Sequence, residues 1–379
     1  MPNSLAGSPK LKHRLRKNKF SASSCVDLQN PLFTRDCPVP LFRHANMLGV
    51  PVRKGQPKNG TQFGPDLIRN SDIFKILEMI GVQLYDHGNL DLEEDVEIDD
   101  EKIYGMINPR SFIRTTLKIA DKVESFLNQQ ISACWDDQRV APLVLVGGDH
   151  SMSSGSILGH RRARPDACVI WVDAHADLNT PMTSTSGNMH GMPLAFLMSE
   201  LQDEVPYIEE LEPIQPCLHA QDVVYIGLRD LDPHEVYDMR KNGIQHFTMT
   251  DIDRMGIETV IRKAIEAVNP RLERSIHLSV DIDAMDPSLA PSTGTPVPGG
   301  LTLREGLRIC EEVYATGKLS VIDLAEINPL IGSEEDVERT RYTAVQLLKT
   351  CLGFRRSGHL PFVVHSLANE GIRSRADKR

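Results

Sequence analysis

Three stretches of the chain set ionisable side chains at alternate positions or just past a glycine pair, each directly after an apolar run. "CVIWVDAHADLN" (168–179) carries Asp173, His175 and Asp177, "IHLSVDIDAMDPS" (276–288) carries Asp281 and Asp283, and "LVLVGGDHS" (143–151) delivers His150. Extended backbone points successive side chains to opposite faces, so each alternating set looks one way. The Gly-Gly pair lets backbone approach closely at the third stretch. Four carboxylates gathered in one pocket carry a charge of −4, which a buried site does not tolerate unaided. Two divalent cations would cancel it. A carboxylate-rich set with some imidazole and no thiolate suits Mn²⁺ better than Zn²⁺. Paired ions of this kind sit roughly 3.5–4 Å apart and activate a shared water near neutral pH. Taken singly, each stretch has a plainer reading, as a structural histidine or a turn cap. Three complementary sets in one chain favour metal chemistry, because independent coincidences multiply.

The positioning elements follow from periodicity. Strands are expected at 46–52, 82–86, 142–147, 168–172, 223–228, 244–249, 276–282 and 320–327. Helical stripes lie between them, as in "SFIRTTLKIADKVESFL" with Ile113, Leu117, Ala120 and Val123 on one side. Two more, "DIDRMGIETVIRKAIEAV" and "LTLREGLRICEEVYATG", are expected to take Asp251 and Thr302 as N-caps. Strand–helix alternation with near-continuous apolar strands implies an α/β fold with a parallel sheet covered on both faces. A three-layer, doubly wound eight-stranded sheet and a closed (β/α)₈ barrel both fit, and both place ligands at the carboxyl ends of strands.

The 379 residues are 40 % hydrophobic and 25 % charged, with a net charge of −10. That balance argues against nucleic-acid binding, which calls for a basic face. No apolar stretch approaches the roughly 20 residues of a membrane span. The seven cysteines are scattered, with no CxxC, so a reducing compartment is expected. Residues 1–44 open with a basic stretch that has no acid before Asp27. Its lysines outnumber its arginines and its apolar residues form no helical stripe. A disordered tail on a cytoplasmic protein is therefore expected, with a mitochondrial transit peptide as the alternative. One catalytic domain is expected over 45–356, interrupted by an acidic surface insertion at 91–101, followed by a C-terminal tail at 357–379 that could contact a neighbouring subunit.

"GGDHS", "DAHADLN" and "SVDIDAMDPS" resemble the three signature segments of the ureohydrolase (arginase–agmatinase) superfamily. "TSTSGNMHG" (183–191), "GLRDLDPHE" (227–235), "STGTPVPGG" (292–300), "LAEINP" (324–329) and "GVPVRKGQPKNGTQFGPDLIR" (49–69) are similar to arginases in particular. The likeness runs from about residue 46 to 353. It implies the open doubly wound sheet and two Mn²⁺ ions per subunit. One would be held by His150, Asp173, Asp177 and Asp281, the other by Asp173, His175, Asp281 and Asp283. It further implies hydrolysis of L-arginine to L-ornithine and urea by a metal-bridging hydroxide.

On the same resemblance, Glu326 accepts hydrogen bonds from the guanidinium and Asp177 passes a proton to the leaving nitrogen. His190 shuttles protons to solvent, as an imidazole titrating near neutral pH can. His175, Asn179, Ser186, Gly187, Asn188, Asp232, Glu235 and Thr295 complete the substrate site. Asp232 or Glu235 could instead cap a helix starting at Pro233. Ser184 departs from the threonine many arginases carry there, which keeps the hydroxyl. The alternatives are an agmatinase or another guanidino-compound hydrolase, and a catalytically silent homologue acting as a regulatory subunit. Arginases are commonly homotrimers, and Arg304 with Glu305 resembles a family interface contact.

Overall fold

The computed structural model describes residues 41–92, 100–133 and 141–356. Most of the basic N-terminal segment, most of the acidic insertion and the C-terminal tail lie outside the described residues. All eight expected strands form. They are β1 (His44–Val50), β2 (Gln83–Asn89), β3 (Leu143–Gly147), β4 (Cys168–Val172), β5 (Val223–Leu228), β6 (Gln245–Thr248), β7 (Ile276–Asp281) and β8 (Leu319–Ala325). They pair in the order β2-β1-β3-β8-β7-β4-β5-β6, every neighbouring pair parallel. The sheet is open, with β2 and β6 at its edges. Of the two expected arrangements, the doubly wound one is observed.

Every residue of β3, β8, β7 and β4 is buried. Helices cover both faces of these strands, which is why their sequences read as unbroken apolar runs. Residues of α1 (Gly64–Arg69), α2 (Ile73–Met79), α7 (Ile257–Val268), α8 (Leu303–Ala315) and α9 (Glu334–Cys351) pack with Ile170 and Val172 of β4 in one cluster. On the opposite face, α3 (Pro109–Ala133) and α4 (Met152–Ala163) pack with Val169 and Trp171. The alternation along β4 thus assigns successive residues to the two cores. On α7, Val260, Ile261, Ala264, Ile265 and Val268 form one buried stripe. Each Val or Ile of the stripe contributes about 1.5–3 kcal/mol when fully buried.

Local chemistry explains two departures from expectation. The stripe over 251–268 is two helices, α6 (Met249–Met255) and α7, divided at Gly256 with φ 76° and ψ 151°. Thr248 is the N-cap of α6. Asp251 sits three residues on and accepts from the Thr248 backbone at 2.9 Å, closing a capping box. By contrast, Thr302 caps α8 as expected, with Glu305 reciprocating at 2.9 Å. The second departure is β8, which stops at Ala325. Glu326 follows with φ 61°, a left-handed backbone conformation that a strand cannot contain.

Candidate metal centre

Because β3, β8, β7 and β4 are consecutive in the sheet, the residues just past their carboxyl ends converge. His150 follows β3, Glu326 follows β8, Asp281 ends β7 with Asp283 beyond it, and Asp173, His175 and Asp177 follow β4. His150, Asp173 and Asp177 form one cluster able to hold a metal ion, and Asp173, His175 and Asp283 form another. Asp173 belongs to both. Asp281 Oδ2 lies 3.2 Å from His150 Nδ1 and so joins the first. Sequence reasoning named all six, and the structure brings all six together.

The donor geometry fits cations. His150 Nδ1 has Oδ2 atoms of Asp173, Asp177 and Asp281 around it at 3.1, 3.2 and 3.2 Å. An imidazole nitrogen offers one hydrogen or one lone pair, so it cannot satisfy three carboxylates. A divalent ion among them would. His175 Nδ1 likewise lies 3.5 Å from Asp173 Oδ1 and 3.2 Å from Asp283 Oδ2.

Electrostatics point the same way. Burial lowers the His175 imidazole, but Asp173 and Asp283 overcome it and raise it to about 12. His150 is raised by Asp173, Asp177 and Asp281 against its own desolvation. Burial and neighbouring carboxylates push Asp177 up to about 6 and raise Asp281 and Asp283. Only Asp173, hydrogen-bonded to both imidazoles, is held below the usual carboxylate range despite its burial. Protons thus balance the cluster where cations would otherwise do so.

Rigid neighbours hold these side chains. The His150 ring stacks on Trp171 with centroids 4.1 Å apart, and Trp171 Nε1 donates to Asp173 Oδ2 at 2.9 Å. A side chain at Gly148 would strike the Val52 carbonyl at 1.7 Å, so the turn delivering His150 requires glycine. Asp177 has φ 50° and, with Glu326, is one of five non-glycine residues with positive φ among the described residues. Such backbone strain costs on the order of 1–3 kcal/mol and concentrates at functional sites.

Glu326 is buried, and its Oε1 accepts from the His150 backbone at 2.9 Å and from His190 Nδ1 at 3.0 Å. Its Oε2 is buried and has no hydrogen-bond partner among the described residues. The pairing changes His190. Burial would lower its imidazole, yet the Glu326 bond and charge, with Asp177 and Asp149, raise it to about 9 instead of leaving it near neutral.

Asp149, which sequence reasoning passed over, is fully buried beside this pair. It accepts from the Gly55 backbone at 2.9 Å, while the Gly55 carbonyl accepts from the His190 backbone at 3.0 Å. Burial and the Glu326 charge raise Asp149 to about 6. Its signal was present in "GGDHS", but a lone acid before a histidine reads as a turn residue until its partner at position 55 is known. Asp230, also passed over, lies 3.7 Å from His175 Nε2.

A cavity of about 290 Å³ opens over the cluster and is lined by His175, Asp177, Asn179, Ser186, Asn188, His190, Asp232, Glu235 and Thr295 among others. Thr295 Oγ1 donates to Asp283 Oδ2 at 3.1 Å. Asn179 Nδ2 donates to Asp232 Oδ2 at 2.9 Å. Asp232 caps α5 (Pro233–Asn242) and also faces the cavity. Glu235 is buried, with its oxygens accepting from the Leu178 and Asp232 backbones at 3.0 and 2.9 Å. Burial raises it to about 7. Its geometry ties the 178 loop to α5 rather than presenting a free charge. Gly187 is absent from the lining. At φ 75° it packs against the Gly105 carbonyl, 2.0 Å from where a Cβ would stand. Ser184 Oγ accepts from the Gly187 backbone at 3.0 Å, so the retained hydroxyl shapes this loop.

The sequence model of the Arginase family matches residues 43–353. The chain is 45% identical over 318 residues to mitochondrial arginase-2 of Rattus norvegicus, covering 83% of this chain and 87% of that protein. It is 43% identical over 320 residues to arginase-1 of Homo sapiens, covering 84% and 95%. Its fold is similar to the crystal structure of arginase from Bacillus subtilis, with a TM-score of 0.69 and 31% identity over 83% of this chain and 99% of that one. With the carboxylate–imidazole cluster at the ends of four central strands, these likenesses lead to one conclusion: the chain belongs to the arginase family.

Proposed function

We propose that this protein hydrolyses L-arginine to L-ornithine and urea at two Mn²⁺ ions. His150, Asp173, Asp177 and Asp281 would hold one, and Asp173, His175, Asp281 and Asp283 the other. The observation that carries the reading is Glu326 Oε2, a buried carboxylate oxygen without a hydrogen-bond partner among the described residues, beside a cluster able to hold metal. A planar guanidinium, always charged and rich in N–H donors, is the group that satisfies such an oxygen.

Bound there, two divalent ions would cancel the carboxylate charge and lower the pKa of a water between them, supplying a nucleophile near neutral pH. Glu326 holds the guanidinium in place for attack, and orientation of this kind accounts for much of the barrier lowering in well-aligned reactions. Thr295, hydrogen-bonded to Asp283, lines the cavity. Asp177 passes a proton to the departing ornithine nitrogen. His190, hydrogen-bonded to Glu326 and mostly buried at the cavity wall, exchanges protons with solvent. At the other end, Asn179, Ser186 and Asn188 receive the α-carboxylate, and Asp232 receives the α-ammonium. Glu235 positions Asp232. The assembly proposed is a homotrimer, and the compartment proposed is the cytoplasm.

Urea release from arginine, agmatine and other guanidino compounds, before and after Mn²⁺ loading, tests the proposal. Arginine should be turned over only by the loaded protein, with little turnover of agmatine, which offers no carboxylate to Asn179 and its neighbours. Preference for agmatine would overturn the substrate. No turnover of any compound by protein with two bound ions would make the chain a silent homologue.

A further inference from the structure

Beside the cavity, the segment from Ile103 to Asn108 combines backbone strain with contacts to the proposed substrate site, yet none of its residues lines that cavity. Tyr104 and Asn108, with φ 49° and 55°, are two of the five non-glycine residues with positive φ among the described residues. Ile103 and Met106 exchange backbone hydrogen bonds at 3.0 and 3.3 Å, so Tyr104 and Gly105 are the two central residues of a tight turn. Both have positive φ, as the favoured two-residue hairpin turn requires. Asparagine suits the first of these positions, and a tyrosine there is strained. Met106 anchors the turn. It is 1 % exposed and packs in the cluster that also holds Phe112 of α3 and Met189.

The turn reaches two segments of the site. Ile107 N donates to the Gly187 carbonyl at 2.8 Å, and a Cβ at Gly187 would stand 2.0 Å from the Gly105 carbonyl, so turn and loop meet backbone to backbone. Asn108 Nδ2 donates to the Lys54 carbonyl at 2.9 Å, and the next carbonyl, that of Gly55, accepts from the His190 backbone at 3.0 Å. Inside the loop, Gly187 N donates to Ser184 Oγ at 3.0 Å and Asn188 N to Ser186 Oγ at 3.2 Å. These bonds shape the loop without placing it, and Thr185 and Ser186 are exposed. The bond from Ile107 gives it a place.

We infer that the turn Tyr104–Asn108 is a specificity-determining element, which buttresses the 184–188 loop from outside and so holds Ser186 and Asn188 for an α-carboxylate. The inference rests on the proposed substrate assignment. A hydroxyl and an amide select a carboxylate only when both are held at hydrogen-bond distance, and a loop left to order on binding would spend part of the binding energy doing so. Agmatine has no carboxylate and draws nothing from the loop. The turn therefore acts on arginine binding and not on the chemistry at the guanidinium end.

Urea release from L-arginine and from agmatine, by the full-length protein loaded with Mn²⁺, is the test. Gly105 is exposed, and a Cβ there meets nothing within 4 Å, so a substitution acts through the φ of 82° that it must adopt. Gly105→Val should open the turn and raise KM for arginine about 10-fold, the scale of one lost hydrogen bond. Its kcat for arginine and its kcat/KM for agmatine should stay near wild type. Tyr104→Asn, which suits the turn, should leave both substrates unaffected. If thermal melting shows that Gly105→Val does not fold, the milder Gly105→Ala decides in its stead. An unchanged KM for arginine in the folded variant would overturn the inference and leave the substrate reading intact. An equal loss with both substrates would overturn it too, by making the turn a support of the whole site. So would a matching rise in Tyr104→Asn, which would trace the effect to lost surface. Wild-type preference for agmatine would overturn the substrate reading and the inference with it.

Discussion

Glu326 combines three properties: a left-handed backbone, one carboxylate oxygen fixed by His150 and His190, and one buried oxygen without a partner among the described residues. The first two hold the third in a single direction, which is what recognition of a planar cation demands. Glu326→Gln keeps the shape and removes the charge. It should lower kcat about 100-fold or more, the scale seen when one preorganised electrostatic contact is lost. Metal content measured by atomic absorption should stay at the wild-type level. A parallel loss of metal would mean that Glu326 serves the ligand shell through the His150 backbone instead. Its neighbour His190, whose burial alone would lower it, is raised to about 9 by the bond and charge of Glu326, a shift that its sequence position does not reveal.

Elements place these residues, and their ends are set by short polar motifs. Thr248 with Asp251, Thr302 with Glu305 and Ser333 with Asp336 each form a reciprocal capping box. For α9, Asp336 Oδ2 accepts from the Ser333 backbone at 2.9 Å, while Ser333 Oγ accepts from the Asp336 backbone at 3.2 Å. Ser333→Ala removes one half of the box and should destabilise the protein by about 1 kcal/mol, read as a lower urea midpoint at unchanged slope. An unchanged midpoint would mean that the first turn of α9 frays before the cooperative transition. Strand register is stricter. A one-residue slip of β7 would turn Asp281 and Ser279 to the other face, so the buried apolar residues of that strand also protect the site.

At the scale of the whole molecule, four carboxylates and two imidazoles meet at one end of an open sheet, where burial and mutual repulsion raise Asp177, Asp281 and Asp283. Ions that bind only the folded state stabilise it by mass action, about 4 kcal/mol at a thousand times Kd. Chelation should therefore lower the melting temperature by several degrees, and Mn²⁺ should restore it, as calorimetry would show. A melting temperature indifferent to both treatments would argue against a metal centre that contributes to the fold. No helix among the described residues is long and apolar enough to cross a membrane.

The alternation in "DAHADLN" and "SVDIDAMDPS" declared five of the six candidate ligands, because the period of a strand is written in consecutive residues, and the Gly-Gly turn of "GGDHS" pointed to the sixth, His150. The eight strands were legible for the same reason. Sequence could not say that β3, β8, β7 and β4 lie side by side, since strand order is settled by long-range packing of whole faces. Nor could it choose an open sheet over a closed barrel, foresee the break at Gly256, or show that Glu235 is committed to two backbone amides. Asp149 was invisible as a site residue because its partner Gly55 lies 94 positions away along the chain. Local periodicity fixed which side chains share a face; only the folded sheet decided which faces meet.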